Sequence, residues 1–336
     1  MNYISKRISI HLGLILRKTQ FRICVIHRFK SWKILFFGSD QFALTSLKAL
    51  FKEKMTIQKL DVVVLSDKND VYKYAKSKSL KIHFWPPTLT DCYDLGVVVS
   101  FGKLIPKNII DYFPLGIINV HASLLPQYRG AMPIFYSIKN GDSVTGVTIM
   151  KIKPFKFDIG DIVLQESCSI GSDEFLPSLR NKLANLGAKC LIQTIENLPN
   201  SLEKCVPQSS NGASSAPKVD KTISQIHWDK MTAAEVYNLY RGLFGMYNLK
   251  TTWCSKAVII HCMSLDISWK STLTDNLCHL TPGTLEYCKK YKVLRVHCID
   301  KPLYICSLQM GDKILTDSQF YNGYLSRTPK EDWVFK

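Results

Sequence analysis

The chain has 336 residues, 46% hydrophobic and 21% charged, which suits a globular protein of two domains and excludes a largely disordered or collagen-like chain. Its formal net charge of +17 favours a polyanionic partner. The 11 cysteines are odd in number and form neither a CxxC pair nor a Cys/His cluster at zinc spacing. They predict reduced, mostly buried thiols rather than a secreted disulfide framework or a structural zinc site.

Residues 1–32 read as a mitochondrial presequence. Lys6, Arg7, Arg17, Lys18, Arg22, Arg28 and Lys30 are interleaved with apolar residues, and the first acid is Asp40. A secretory signal would have one clean apolar core after a short basic head. The competing reading is an uncleaved basic arm touching nucleic acid or nothing. No apolar run approaches the ~20 residues that span a bilayer, so no membrane partner is expected.

Lys33–Phe37 is a short apolar run of buried-strand type, followed by a turn at Gly38 and a helical pattern through Phe42, Leu44, Leu47 and Leu50. Asp61–Leu65, Leu95–Ser100 and Leu115–His121 repeat the strand pattern. Such near-continuous apolar runs, alternating with helices, predict a Rossmann-like, mostly parallel sheet covered on both faces. Pro133 and Gly141 bracket a short helix. Thr145–Met150 and Ile162–Gln165 read as two more strands, and a long helix is predicted from Ser172 with Asp173 and Glu174 in its first turn. The first strand–turn–helix lacks GxGxxG and GxxxxGK[ST], so no nucleotide cofactor is expected.

Residues 33–206 therefore form the first predicted domain. A polar linker over 207–222, rich in Ser and bounded by prolines, leads to a second domain over 223–330. There a helix around Ala233–Phe244 precedes short strands at Ala257–His261, Leu294–Ile299, Pro302–Leu308 and Lys313–Leu315, the pattern of a small OB-like β-barrel.

Asn119 and His121 lie at the carboxyl end of a central strand. Residues i and i+2 share a face, and open α/β sheets place ligands at that end. The rigid loop Ala122–Gly130 follows, and Asp158 and Asp161 supply carboxylates between two later strands. With no nucleophilic Ser or Cys at hand, Asn, His and Asp fit direct acyl transfer to an external amine. An amide NH₂ and an imidazolium stabilise the tetrahedral oxyanion, and a nearby carboxylate helps to remove the amine's proton. Taken singly, His121 also reads as a satisfied buried histidine, and the two aspartates as turn residues.

Asn119-Val-His-Ala-Ser-Leu-Leu-Pro-Gln-Tyr-Arg-Gly-Ala-Met-Pro-Ile134, with Thr145–Met150 and Phe157-Asp-Ile-Gly160, resembles the folate-dependent formyltransferases. The likeness is nearest to the mitochondrial type that acts on methionyl-tRNA. It runs from about Lys33 to Arg327. Leu35–Phe42, Val98–Pro106, Ser215–Lys218 and Ile226–Trp228 agree with it. The resemblance implies that 10-formyltetrahydrofolate is the donor and initiator methionyl-tRNA the acceptor, with no metal or nucleotide. It implies catalytic roles for Asn119, His121 and Asp158, and folate contacts at Phe101, Gly102, Ser123, Leu124, Leu125 and Pro126. It also implies a tRNA-binding barrel, whose basic residues are Lys250, Lys256, Lys289, Lys290, Lys292 and Arg295, acting as a monomer in the mitochondrial matrix.

Two departures stand out. The segment Lys151–Phe157 is one residue longer than in bacterial relatives. The basic loop that they insert after the second strand, which helps to read the tRNA acceptor end, is nearly absent at Leu65–Val71. The competing functions are another 10-formyltetrahydrofolate-dependent formyltransferase or hydrolase, acting on a small amine or water, and a non-catalytic RNA-binding module.

Overall fold

The computed structural model describes residues 31–265 and 280–336. Residues 1–30, which hold nearly all of the expected presequence, lie outside them.

Seven strands form the first sheet. They are β1 (Trp32–Gly38), β2 (Ile57–Val64), β3 (Ile82–Phe84), β4 (Leu95–Val99), β5 (Ile117–His121), β6 (Val144–Lys151) and β7 (Ile162–Ser169). Their order is β3-β2-β1-β4-β5-β6-β7. The sheet is parallel from β3 to β5, while β6 runs antiparallel to both β5 and β7.

Both faces are covered, so the strands need no polar alternation. Ile34 and Phe36 enter one core with helices α1 (Gln41–Lys52) and α5 (Leu176–Glu196). Leu35 and Phe37 enter a second core with Phe101, Phe113 and Ile117. In β5, Ile118 and Val120 take the first core. Alternation therefore sends Asn119 and His121 to the face of Ile117.

The remaining helices of this half are α2 (Asp70–Ser77), α3 (Lys107–Ile110), α4 (Pro133–Lys139) and α6 (Asn200–Glu203). The connection between β2 and α2 is short, and Asn69 caps α2 by accepting from the Tyr72 amide at 2.7 Å.

The long helix begins four residues later than the acidic pair predicted. Pro177 sits in its first turn, where a missing N–H costs nothing. Asp173 and Glu174 stay outside it. Asp173 accepts from the Tyr237 hydroxyl at 3.0 Å, and Glu174 accepts from the Gly171 amide at 3.1 Å.

After the linker, α7 (Ala233–Leu243) starts with a capping box in which the Thr232 hydroxyl and the Glu235 carboxylate each accept from the other's backbone N–H. The second sheet follows. It contains β8 (Leu249–Trp253), β9 (Lys256–Ser264), β10 (Leu285–Cys288), β11 (Val293–His297), β12 (Pro302–Met310) and β13 (Lys313–Thr316). The order is β10-β11-β12-β9-β8, with β13 also on β12. A short helix, α8 (Asp317–Gly323), comes next.

The last residues then bond to both edge strands. Lys336 exchanges two 2.9 Å backbone bonds with Thr252 of β8. Phe335 donates to the Gly283 carbonyl at 2.9 Å, and Trp333 accepts from Leu285 of β10 at 2.7 Å. This tail closes the antiparallel sheet on itself, the device that removes exposed edges in small barrels.

No disulfide joins the described cysteines, but only Cys190 and Cys298 are buried, which corrects the expectation of mostly buried thiols. No described helix is long and apolar enough to cross a membrane.

Candidate active site

Asn119, His121 and Asp158 come together at the end of β5. The Asn119 amide donates to Asp158 Oδ1 at 3.3 Å. His121 Nδ1 lies 3.5 Å from the same oxygen. The other carboxylate oxygen accepts from the Gly130 amide at 2.9 Å. All of this is shielded, the side chains of His121 and Asp158 being 6% and 10% exposed.

The proton positions follow from partner chemistry. His121 Nε2 lies 2.9 Å from the Tyr128 carbonyl oxygen, which can only accept, so Nε2 carries a hydrogen. Nδ1, beside Asp158, is the nitrogen left to exchange a proton. The Asn119 amide has a second N–H to offer to a developing oxyanion.

Tyr128 is the anchor of this arrangement. Its hydroxyl donates to Asp142 at 2.6 Å and accepts from Asn140 at 3.0 Å. Burial, and then the Asp142 carboxylate, push its pKa up to about 12, so it remains a neutral donor.

The segment read as a linker is bonded along the catalytic loop. Ser214 accepts from the Arg129 amide at 2.8 Å and, through its hydroxyl, from the Tyr128 amide at 2.9 Å. Ala216 donates to the Arg129 carbonyl at 2.7 Å and accepts from Met132 at 3.0 Å. Gln208 ties the two loops together. Its amide nitrogen donates to the Asp158 and Gly160 carbonyls at 3.0 and 2.7 Å, and its oxygen accepts two bonds from Arg129 at 3.1 and 2.7 Å.

Asp158 itself has φ +54°, a region that Asp enters more readily than most residues. Gly160 lets its loop lie against β6, because a Cβ there would fall 1.5 Å from the Lys151 carbonyl oxygen. Gln208→Ala leaves every cavity-lining side chain in place but frees Asp158. A misplacement of about 1 Å costs up to ~10²-fold, so kcat should fall about 10- to 100-fold, with both KM values little changed. Steady-state kinetics check this, and an unchanged kcat would show that Asp158 holds its place without Gln208.

A cavity of about 620 Å³ opens over the trio, within the ~300–1,000 Å³ range of small-molecule sites. Phe101 and Gly102 line it, as do Met132, Ile134 and Met150, and Lys103, Lys153, Lys156 and Arg180 lie around it. Arg180 is paired with Asp40. Asp161 stays out of the trio, since it accepts from Lys153 at 2.7 Å.

Ser123, Leu124, Leu125 and Pro126 are not among the lining residues. They pack behind the cavity. Thr148 accepts from the Leu125 amide at 3.0 Å and donates to the Ser123 carbonyl at 2.7 Å, while Gln165 donates to the Leu125 carbonyl at 2.8 Å. In this geometry the string supports the loop that carries Tyr128 and Gly130.

Residues 90–195 match the family described as formyl transferase, and residues 218–325 match the formyl transferase C-terminal domain. The mitochondrial methionyl-tRNA formyltransferase of Homo sapiens is 38% identical over 306 residues, covering 88% of this chain and 78% of the human protein. The chain belongs to the methionyl-tRNA formyltransferase family. A member from Caldanaerobacter subterraneus subsp. tengcongensis is 33% identical over 299 residues, 82% of this chain and 92% of its own. Among solved structures, the N-formyltransferase of Helicobacter canadensis, in complex with folinic acid and dTDP-3-aminofucose, superposes with a TM-score of 0.61. It is 19% identical and covers 83% of this chain and 100% of that one, a likeness of fold.

In this family member the lysines singled out for tRNA are all exposed. Lys250 is on β8, Lys256 begins β9, and Lys289, Lys290 and Lys292 form the tip between β10 and β11. Arg295 differs. It is only 17% exposed and lies 3.0 Å from Glu286, which also accepts from His297 at 2.9 Å. It is held within the sheet by this ion pair.

Proposed function

We propose that the protein transfers the formyl group of 10-formyltetrahydrofolate to the amino group of methionine esterified to initiator tRNA, as a monomer in the mitochondrial matrix. The observation that carries this reading is the convergence of Asn119, His121 and Asp158 on one cavity within one chain. Among the described residues no serine or cysteine is hydrogen-bonded to His121, so the arrangement suits attack by an external amine rather than an acyl-enzyme.

The cavity's size and largely apolar wall suit a folate ring system, which supplies the formyl group on its N10 nitrogen. As the amine adds to the formyl carbon, the Asn119 N–H and a protonated His121 Nδ1 stabilise the oxyanion. Asp158 holds both groups in place, accepting from the Asn119 amide and lying beside His121 Nδ1. The Asp158 carboxylate helps to take the proton that the amine loses, and His121 gives its Nδ1 proton to the donor nitrogen as that nitrogen leaves.

Incubation with 10-formyltetrahydrofolate labelled in the formyl group should move the label onto charged methionyl-tRNA. Label released to water, or carried only to a small amine such as an amino-sugar nucleotide, would overturn the reading. The mitochondrial relatives and the acid-free basic arm support the location. Deleting residues 1–30 should leave an active enzyme in the cytosol, and continued import after that deletion would contradict it.

The hairpin-tip lysines are the part of the barrel best placed to meet phosphate. Each lost phosphate contact flattens the slope of log K against log salt by ~0.7–0.9. Replacing Lys289, Lys290 and Lys292 together by Ala should weaken tRNA binding and flatten that slope by about two units. Transfer at saturating tRNA should hardly change. An unchanged slope would assign these lysines to solvent and move the search to Lys68, Lys73, Lys76 and Lys78.

A further inference from the structure

The exposed thiols of Cys262 and Cys306 arise from a specific irregularity of the second sheet. Strands β9 and β12 pair in antiparallel register, with Met263 opposite Ile305 and Ile260 opposite Leu308. Between those pairs Cys262 faces Ser307, so Cys306 is an extra residue on one strand and His261 an extra residue on the other. Two bulges back to back shift the parity of both strands. Val258 and Ile260 point inward, and so does Met263. Leu303 and Ile305 point inward, and so do Leu308 and Met310. The residues at the parity break are turned out, and both cysteines are exposed. Bulges commonly re-aim a side chain in this way.

The result is a pair of exposed thiols at adjacent positions of the two strands. Helix α7 packs beside them. The Tyr240 hydroxyl donates to the carbonyl of the bulged His261 at 3.1 Å, a group the ladder has released.

We propose that Cys262 and Cys306 form a dithiol site that reacts with low-molecular-weight disulfides, with Cys262 as the attacking and Cys306 as the resolving thiol. The Cys262 thiolate attacks one sulfur of a disulfide R–S–S–R, forming a mixed disulfide and expelling RS⁻. The Cys306 thiol then attacks the Cys262 sulfur, giving its proton to the departing second RS⁻. Two protein thiols are oxidised to one disulfide, and the reagent is reduced to two thiols, the proton of Cys262 completing the first of them.

The setting favours this order. The hydrogen bond from the Cys306 thiol outweighs burial and brings Cys262 down to about 6. The titratable groups facing it are Cys306 from β12 and Tyr237 and Tyr240 from α7. The tyrosines are pushed up to about 12, chiefly by burial, so they remain neutral while Cys262 titrates.

The test treats the reduced full-length protein with 2-hydroxyethyl disulfide, blocks the remaining thiols and maps peptides by mass. At pH 6 about half of Cys262 is thiolate, against roughly 0.3% of an ordinary thiol of pKa ~8.5. The lower basicity takes back about tenfold of that gain through weaker nucleophilicity. Cys262 should therefore be modified about tenfold faster than the exposed lone thiol of Cys254 at pH 6, with a rate midpoint near 6. Wild type should end as a Cys262–Cys306 disulfide with two equivalents of thiol released. Cys306→Ser should stop at the mixed disulfide on Cys262, and Cys262→Ser should lose the fast phase. Both variants, changed at exposed positions away from the cavity, should keep formyl transfer when reduced. If wild-type Cys262 reacts no faster than Cys254, or the cross-link joins other cysteines, the proposal is wrong.

Discussion

Asn119→Ala and His121→Ala should each lower kcat by about 10²–10³, the usual cost of losing one preorganised oxyanion donor. Folate affinity should change little, because each side chain offers its key hydrogen to charge that develops only during transfer. Asn119 spends one N–H on Asp158 and keeps the other. His121 spends Nε2 on the Tyr128 carbonyl and keeps Nδ1. A His121→Ala enzyme that retained more than roughly a tenth of the wild-type kcat would show a loss below that range, and His121 would then be a structural residue filling the end of β5.

Asp158→Asn should cost more, on the order of 10⁴, comparable to neutralising the carboxylate that orients a catalytic histidine. The carboxylate accepts on both oxygens, from Asn119 on one and from Gly130 on the other. An amide can satisfy only one side. If its oxygen keeps the Gly130 bond, its NH₂ group confronts the Asn119 NH₂ and can bind the His121 Nδ1 lone pair. That holds the imidazole neutral at the atom that must carry a proton. Thermal stability should fall far less than activity, since the Gly130 bond and the Gln208 tether to the backbone survive. Single-turnover transfer with saturating substrates checks this. A loss under tenfold would mean that His121 needs no carboxylate partner.

Much of this site is legible in the sequence, for a physical reason. The period-2 rule and the strand-end rule together put Asn119 and His121 on one wall of a cleft. Asp158 is different, because nothing in its spacing from β5 fixes a contact, and the family resemblance singles it out. The groups that hold the trio are hidden because they act through backbone atoms or from far along the chain. The Tyr128 carbonyl, the Gly130 amide and Gln208 leave no side-chain pattern to read. A polar, Ser-rich segment reads as a loose connection, yet 214–216 bonds along the catalytic loop.

The misreadings elsewhere also have physical causes. Asp173 and Glu174 look like a helix first turn, but Pro177 fixes the start. β8, Leu-Lys-Thr-Thr-Trp, alternates buried and exposed residues as a half-buried strand should, and its brevity hides it. Cys262 lies two residues after the buried Ile260 and should share its face. The paired bulges reverse that parity, which no sequence pattern announces.

The central claim is that Asn119, His121 and Asp158 act as one device on one tetrahedral intermediate. Groups that work as a unit are strongly non-additive. The direct measurement is the single-turnover rate of formyl transfer to methionyl-tRNA for Asn119→Ala, His121→Ala and the double variant. The double variant should be slower than the worse single variant by less than about tenfold. A double variant slowed by the full product of the two single losses, about 10⁴–10⁶, would contradict the claim and make the residues independent contributors.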